Sequence, residues 1–319
     1  MAEEDPGITL RVSGRLYSAD DVIECLQSLS VSPTQWHKVG ANFLTLLMAG
    51  TLNFMGHQEI SLRWTVVGLF IHEWGHFLGM RITGSKTASF GVGIFGPLAL
   101  GIEGLSAGRK AFVSLFGPLF GWGIAALYLI GSSYIEMPDL TVPANTLVFV
   151  SAINLVPVKP FDGYAVIEHL IFLHKPNLRL VYLIVTALVL SLFYVISFYR
   201  HDHPAFALFF IVLGMVMFAG AKKEDNMSGM VLRLRNEGEK DYEVGHYRPE
   251  MLKKMEYSLN LFDIQNEANL AHLLREVWDR AWEVPASKME SYTVLGMYVL
   301  LFLGCCILPI IPQLCSCLF

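Results

Sequence analysis

The chain has 319 residues, of which 54% are apolar and only 16% charged, with a formal net charge of −5 at pH 7. A soluble domain carries about 25% charged residues, so this deficit, with a mean hydropathy of +0.48, points to a chain solvated largely by lipid. No basic stripe marks a nucleic-acid partner, and that class is excluded.

The first 38 residues read as a small polar segment. Its start, through Pro6, is acidic and lacks the basic, then apolar, pattern of a cleavable leader. Residues 8–12 alternate like a strand, and Ser18 with Asp21 forms a capping pair for a helix through Leu26. The segment is too short for an independent core, so it is expected to pack on the rest of the chain or on a partner.

Apolar runs follow at about 39–55, 63–82, 109–131, 143–170, 178–199, 204–221 and 291–312, each near the roughly 20 residues that a bilayer requires. The expected fold is an all-α polytopic membrane protein of six to seven transmembrane helices. Basic residues set its orientation. Arg81, Lys86, Arg109 and Lys110 lie between the second and third runs, Lys175 and Arg179 after the fourth, and Lys222-Lys223 after the sixth. The connection 132–141 has Glu136 and Asp139 but no Lys or Arg. This alternation places the N-terminus in the cytoplasm and the C-terminus outside, with Arg200 the one dissenting charge.

The second run contains His72-Glu73-Trp74-Gly75-His76. Histidines at i and i+4 project from one helical face and can converge on one Zn²⁺, while Glu73 beside them can take a proton from water activated by the metal. Ionisable groups inside an apolar span are expensive and mark function. The alternative is a pair of structural histidines bonded between helices. After this run, residues 88–98 are apolar, glycine-rich and too broken for a helix, which suggests a membrane-embedded β-hairpin or strand.

The fourth run is interrupted by Pro157 and Pro160, so a kink or unwound stretch is expected there. Asp162 follows the break, ahead of Gly163. Catalytic zinc usually has three protein ligands and an open fourth position. Asp162 is the best candidate for the third, against the plainer reading of an aspartate at a helix end. Residues 222–289 form a polar, soluble segment. Its helix around Leu270, Leu273, Leu274, Val277 and Ala281 suits either the membrane surface or the protein's own core. The last segment, 290–319, spans or re-enters the bilayer around Pro309 and Pro312. Its Cys305, Cys306, Cys315 and Cys317, with Cys25 far away, do not read as a disulfide framework.

His-Glu-x-x-His on one span and Asn-x-x-Pro-x-x-x-x-Asp-Gly (Asn154 to Gly163) on a later one together resemble the site-2 protease family of intramembrane zinc metalloproteases. The resemblance covers about residues 63–170, within a protease domain of 39–221. It implies one zinc per chain held by His72, His76 and Asp162, with Glu73 as general base. It also implies that Asn154 holds the substrate backbone or the developing oxyanion, and that the strand around 90–94 pairs with an unwound substrate. Gly117-Pro118 matches a Gly-Pro of the family, but Gly121 stands where the family commonly has asparagine. Such relatives release membrane-tethered regulators, so the implied partners are membrane-spanning protein substrates within the lipid bilayer. Two other classes stay open. One is a catalytically silent relative that sequesters membrane proteins. The other is a zinc transporter, which would need more ligands along its spans than this chain has. His201 and His203 read as solvated loop residues.

Overall fold

A computed structural model describes residues 8–28, 34–54, 60–93, 96–102, 105–135, 140–172, 175, 178–179, 181–186, 214, 225–235, 249–262 and 264–307. In chain order the elements are β1 (Thr9–Val12), β2 (Arg15–Ser18), α1 (Ala19–Ser28), α2 (Thr34–Phe54), α3 (Leu62–Ile82), β3 (Ser89–Gly93), β4 (Gly96–Leu100), α4 (Ala107–Ile135), α5 (Thr141–Asn154) and α6 (Asp162–Ile167). A π-helical turn, Glu168–Phe172, continues α6. Then come a helix over 225–235 (α7), α8 (Pro249–Leu259), α9 (Glu267–Trp282) and α10 (Lys288–Ile307). The described chain is therefore mostly helical, with two short antiparallel hairpins. It divides into two compact units, one drawn from within Met1–Pro33, Lys175–Leu190 and Leu213–Glu283, the other from the remainder.

The first unit joins segments far apart in sequence. Ser13 and Gly14, both with positive φ, make the two-residue turn between β1 and β2, a geometry that matches the twist of the flanking strands. Alternation then buries Leu10 and Val12 on one face. That face and the buried Val22 and Leu26 of α1 are too small to close a core alone. They share one with Met227 and Met230 of α7, Leu252 and Leu259 of α8, and the apolar stripe of α9. Glu256 and Asn260 hydrogen-bond the β1 backbone: Arg11 N–H donates to Glu256 Oε1 at 2.9 Å and Ser13 N–H to Asn260 Oδ1 at 2.7 Å. Of the two readings left open for the helix around Leu270–Ala281, packing in the protein's own core is the one observed. The segments 1–38 and 222–289, expected as separate pieces, contribute to a single core, because neither has enough apolar surface to bury by itself.

In the second unit α3 packs against α4 and α5, and β4 lies against α3 and α2. The broken, glycine-rich stretch after α3 forms the β3–β4 hairpin, with Gly91 opposite Leu98 and Phe90 opposite Ala99. The fourth apolar run divides as its prolines imply: α5 ends at Asn154, residues 155–161 are turns, and α6 starts at Asp162. Among the described residues one helical stretch, Ala107–Gly131 of α4, is long and apolar enough to cross a membrane, and α2 contributes a shorter apolar stretch, Val39–Asn53. Large apolar side chains stand exposed on α3 (Val66, Phe70, Trp74), α4 (Leu127, Ile130) and α10 (Leu300). Most of the runs expected at 178–199 and 204–221, with His201 and His203, lies outside the described residues, as does the end of the last run.

Candidate metal centre

The middle of α3 packs closely against α4. Gly75 and Gly79 face α4, and a Cβ at Gly75 would stand 2.8 Å from Phe120 Cβ and 2.9 Å from the Phe116 carbonyl oxygen. A Cβ at Gly79 would stand 2.9 Å from Phe116 Cβ. On α4, a Cβ at Gly117 would overlap the His76 imidazole. Missing side chains on both helices thus let the α4 backbone come up against the histidine ring. His76 Nδ1 lies 2.8 Å from the Val113 carbonyl oxygen and donates its N–H to it. Pro118 has no N–H, so the Ser114 carbonyl next to Val113 lacks its helical donor.

That bond has a chemical consequence. With its proton on Nδ1, a neutral His76 ring presents a lone pair at Nε2. His72 sits one turn earlier on the same face, its ring edge-on to His76 at 88° with centroids 4.6 Å apart. The two Nε2 atoms are 3.0 Å apart. Asp162, the first residue of α6, brings Oδ2 to 2.9 Å from His72 Nε2 and 3.0 Å from His76 Nε2. Both histidines are at most 2% exposed. Gly163 permits this placement, since a Cβ there would overlap the Leu155 carbonyl.

Three electronegative atoms in so tight a buried triangle repel one another unless something electropositive lies between them. Ligand atoms about 2.0–2.1 Å from a tetrahedral zinc stand about 3.3 Å apart, close to the observed spacing. His72 Nδ1 is buried with no hydrogen-bond partner among the described residues. The residues present therefore fit a metal ion, and His72, Glu73 and His76 form a group whose ligand atoms all lie within 4.8 Å of one another.

Glu73 is held differently from the other three. It is 2% exposed, and its Oε2 accepts the backbone N–H of Ala99 in β4 at 2.9 Å. The other sequence-derived candidate, Asn154, is equally buried at the end of α5, but its Nδ2 donates to the Val150 carbonyl one turn back at 2.9 Å. His72, His76 and Asp162 come together as the motifs imply, with Glu73 alongside, whereas the Asn154 amide is directed into its own helix. Three supporting groups carry no signal in the spacing. They are the Val113 carbonyl, the Ala99 N–H, and Tyr298 of α10, whose hydroxyl donates to the Leu155 carbonyl at 2.8 Å in the break that precedes Asp162. The first two are main-chain groups that any residue supplies. A tyrosine within the last apolar run was the one available hint.

No family model, no curated protein and no solved structure matches the chain.

Proposed function

We propose that the chain is an intramembrane zinc metalloprotease of the site-2 type, hydrolysing peptide bonds of membrane-spanning proteins. The observation that carries this reading is the convergence of His72 Nε2, His76 Nε2 and Asp162 Oδ2 to within 3.0 Å of one another, with a second buried carboxylate beside them. Two imidazoles and one carboxylate are a common catalytic zinc set that leaves an open position for substrate or water. Zinc, when bound, would supply Lewis acidity, bringing water to a pKa of about 7 and polarising the scissile carbonyl.

The chain's own residues do the rest. Glu73 is a carboxylate outside the three-atom cluster, so it is available as general base: it takes the proton of the attacking water and passes it to the departing amine. The Ala99 N–H on Oε2 fixes the direction of the carboxylate. Asn154 can serve the oxyanion with the amide proton not given to Val150, or by leaving that bond, at a cost of about 1 kcal/mol. The edge of β3 opposite β4 offers backbone groups to an extended substrate segment. A helical substrate has to unwind first, because its carbonyls are occupied by its own ladder.

A membrane setting is supported by the composition, the apolar stretch of α4 and the exposed apolar faces of α3 and α10. In this reading the chain is multi-pass, with residues 1–38 and 222–289 in the cytoplasm. The test compares membrane proteomes of cells carrying the wild type and Glu73→Gln, with zinc measured in both purified proteins. We expect one zinc per chain in each, and peptide termini inside predicted spans only with the wild type. Identical termini with both proteins zinc-loaded would leave a silent relative that binds membrane proteins. Absence of zinc would remove the reading altogether.

A further inference from the structure

Asn42 is an amide at 2% exposure within the apolar helix α2, where an unbonded polar group is strongly unfavourable. Its Nδ2 donates to the Pro97 carbonyl of β4 at 3.0 Å. Two residues further along the same strand edge, Ala99 donates its N–H to Glu73 Oε2. The register explains why one edge carries both groups. Gly91–Leu98 and Gly93–Gly96 take the ladder positions, so Pro97 and Ala99 turn their backbone groups away from β3. Proline is tolerated there because no ladder N–H is required of it. β4 is thus held from outside by two side chains, an amide from α2 and a carboxylate from α3.

Resting on the protease reading above, we propose that Asn42 is a positioning residue for the general base: by pinning the Pro97 carbonyl it sets where the Ala99 N–H stands, and through that N–H the orientation of Glu73. The three metal-binding atoms come from α3 and α6 and are not hydrogen-bonded to β4 in this arrangement. Loss of the Asn42 amide should therefore separate base placement from metal binding. The chain of contacts also links the hairpin that would receive substrate to the group that moves the proton. A substrate segment docking on β3 bears on a strand whose far edge holds Glu73.

The experiment uses the full-length zinc-loaded protein in lipid nanodiscs and two readouts. Asn42→Leu keeps the branching and the number of heavy atoms and removes the donor. Asn42→Gln keeps an amide, and the glycine at 96, whose Cβ would be 3.9 Å from the Asn42 nitrogen, leaves space for the longer side chain. Asn42→Ser substitutes if the leucine variant does not fold. The first readout is amide hydrogen exchange of a peptide covering 96–100. Exchange should accelerate about tenfold in Asn42→Leu and return towards wild type in Asn42→Gln. The second is turnover at unchanged zinc content, where kcat should fall about ten- to a hundredfold in Asn42→Leu and recover in Asn42→Gln. Unaltered exchange in Asn42→Leu overturns the pinning of β4. Faster exchange with unaltered kcat overturns the positioning of Glu73. The exchange readout needs no turnover, so a wild type that binds zinc but cleaves nothing defeats the protease reading while the Asn42 contact is still decided.

Discussion

At the scale of single residues, the absence of a side chain at Gly117 matters as much as any of the candidate ligands. The His76 ring occupies the space where a Cβ at 117 would be. Gly117→Ala should force the ring off the Val113 carbonyl and out of the triangle. We expect zinc stoichiometry, measured by atomic emission, to fall from one per chain to a small fraction. Gly123→Ala, on the same helix with nothing within 4 Å of the added carbon, should leave it unchanged. Equal zinc in both variants would show that α4 does not set the ring. The pairing of His72 and His76 was legible in the sequence, because i, i+4 spacing places them on one face whatever the tertiary fold. Asp162 was legible from the proline break before it. Asn42 and Tyr298 were not, since each acts on a backbone carbonyl distant in sequence and such partners leave no periodic trace.

At the scale of elements, the break between α5 and α6 is the exposed point of the design. Ending α5 at Asn154 leaves carbonyls without helical partners inside an apolar surround. The last helix supplies one answer through Tyr298, whose hydroxyl meets the Leu155 carbonyl, and Val294 and Leu301 pack on the same cluster. Tyr298→Phe retains the ring and removes only that donor. It should destabilise the zinc-free protein by about 1–3 kcal/mol and weaken zinc binding, because the turn that presents Asp162 loses a tether. Thermal melting with and without chelator, beside a zinc titration, measures both; unchanged melting would mean that water serves the carbonyl. The sequence located this break and the hairpin after α3 from prolines and glycines. It did not reveal that the final apolar run braces the break, because nothing in a helix's own periodicity names its neighbour.

At the scale of the whole molecule, the shared core of the first unit constrains topology. β1, β2 and α1 pack with α7, α8 and α9 in one apolar cluster. A core of this kind cannot be divided by a bilayer, so in the membrane reading proposed above the chain between residues 28 and 225 would cross an even number of times. The six apolar runs read within 39–221 satisfy that parity, while the described residues alone include one stretch that meets the length and hydropathy of a span. Single cysteines introduced as Asp20→Cys and Ala268→Cys, both at exposed positions, should react with a membrane-impermeant maleimide from the same side of sealed vesicles. Reaction from opposite sides would rule out the shared core in the native protein.

The same core sets an order of events during synthesis. Leu10 and Val12 leave the ribosome long before Leu252 and Leu270, the residues that cover them, have been translated. All the intervening apolar runs must be made, and in the membrane reading inserted, before the N-terminal hairpin finds its partners. Until then its apolar face and the free edge of β1, later taken by Glu256 and Asn260, are open to any chaperone or stray strand. Completion of this unit thus reports that everything between has been threaded. A chain stopped before residue 249 would carry the complete His72, His76 and Asp162 cluster and an N-terminal hairpin with α7 as its one partner from the later chain.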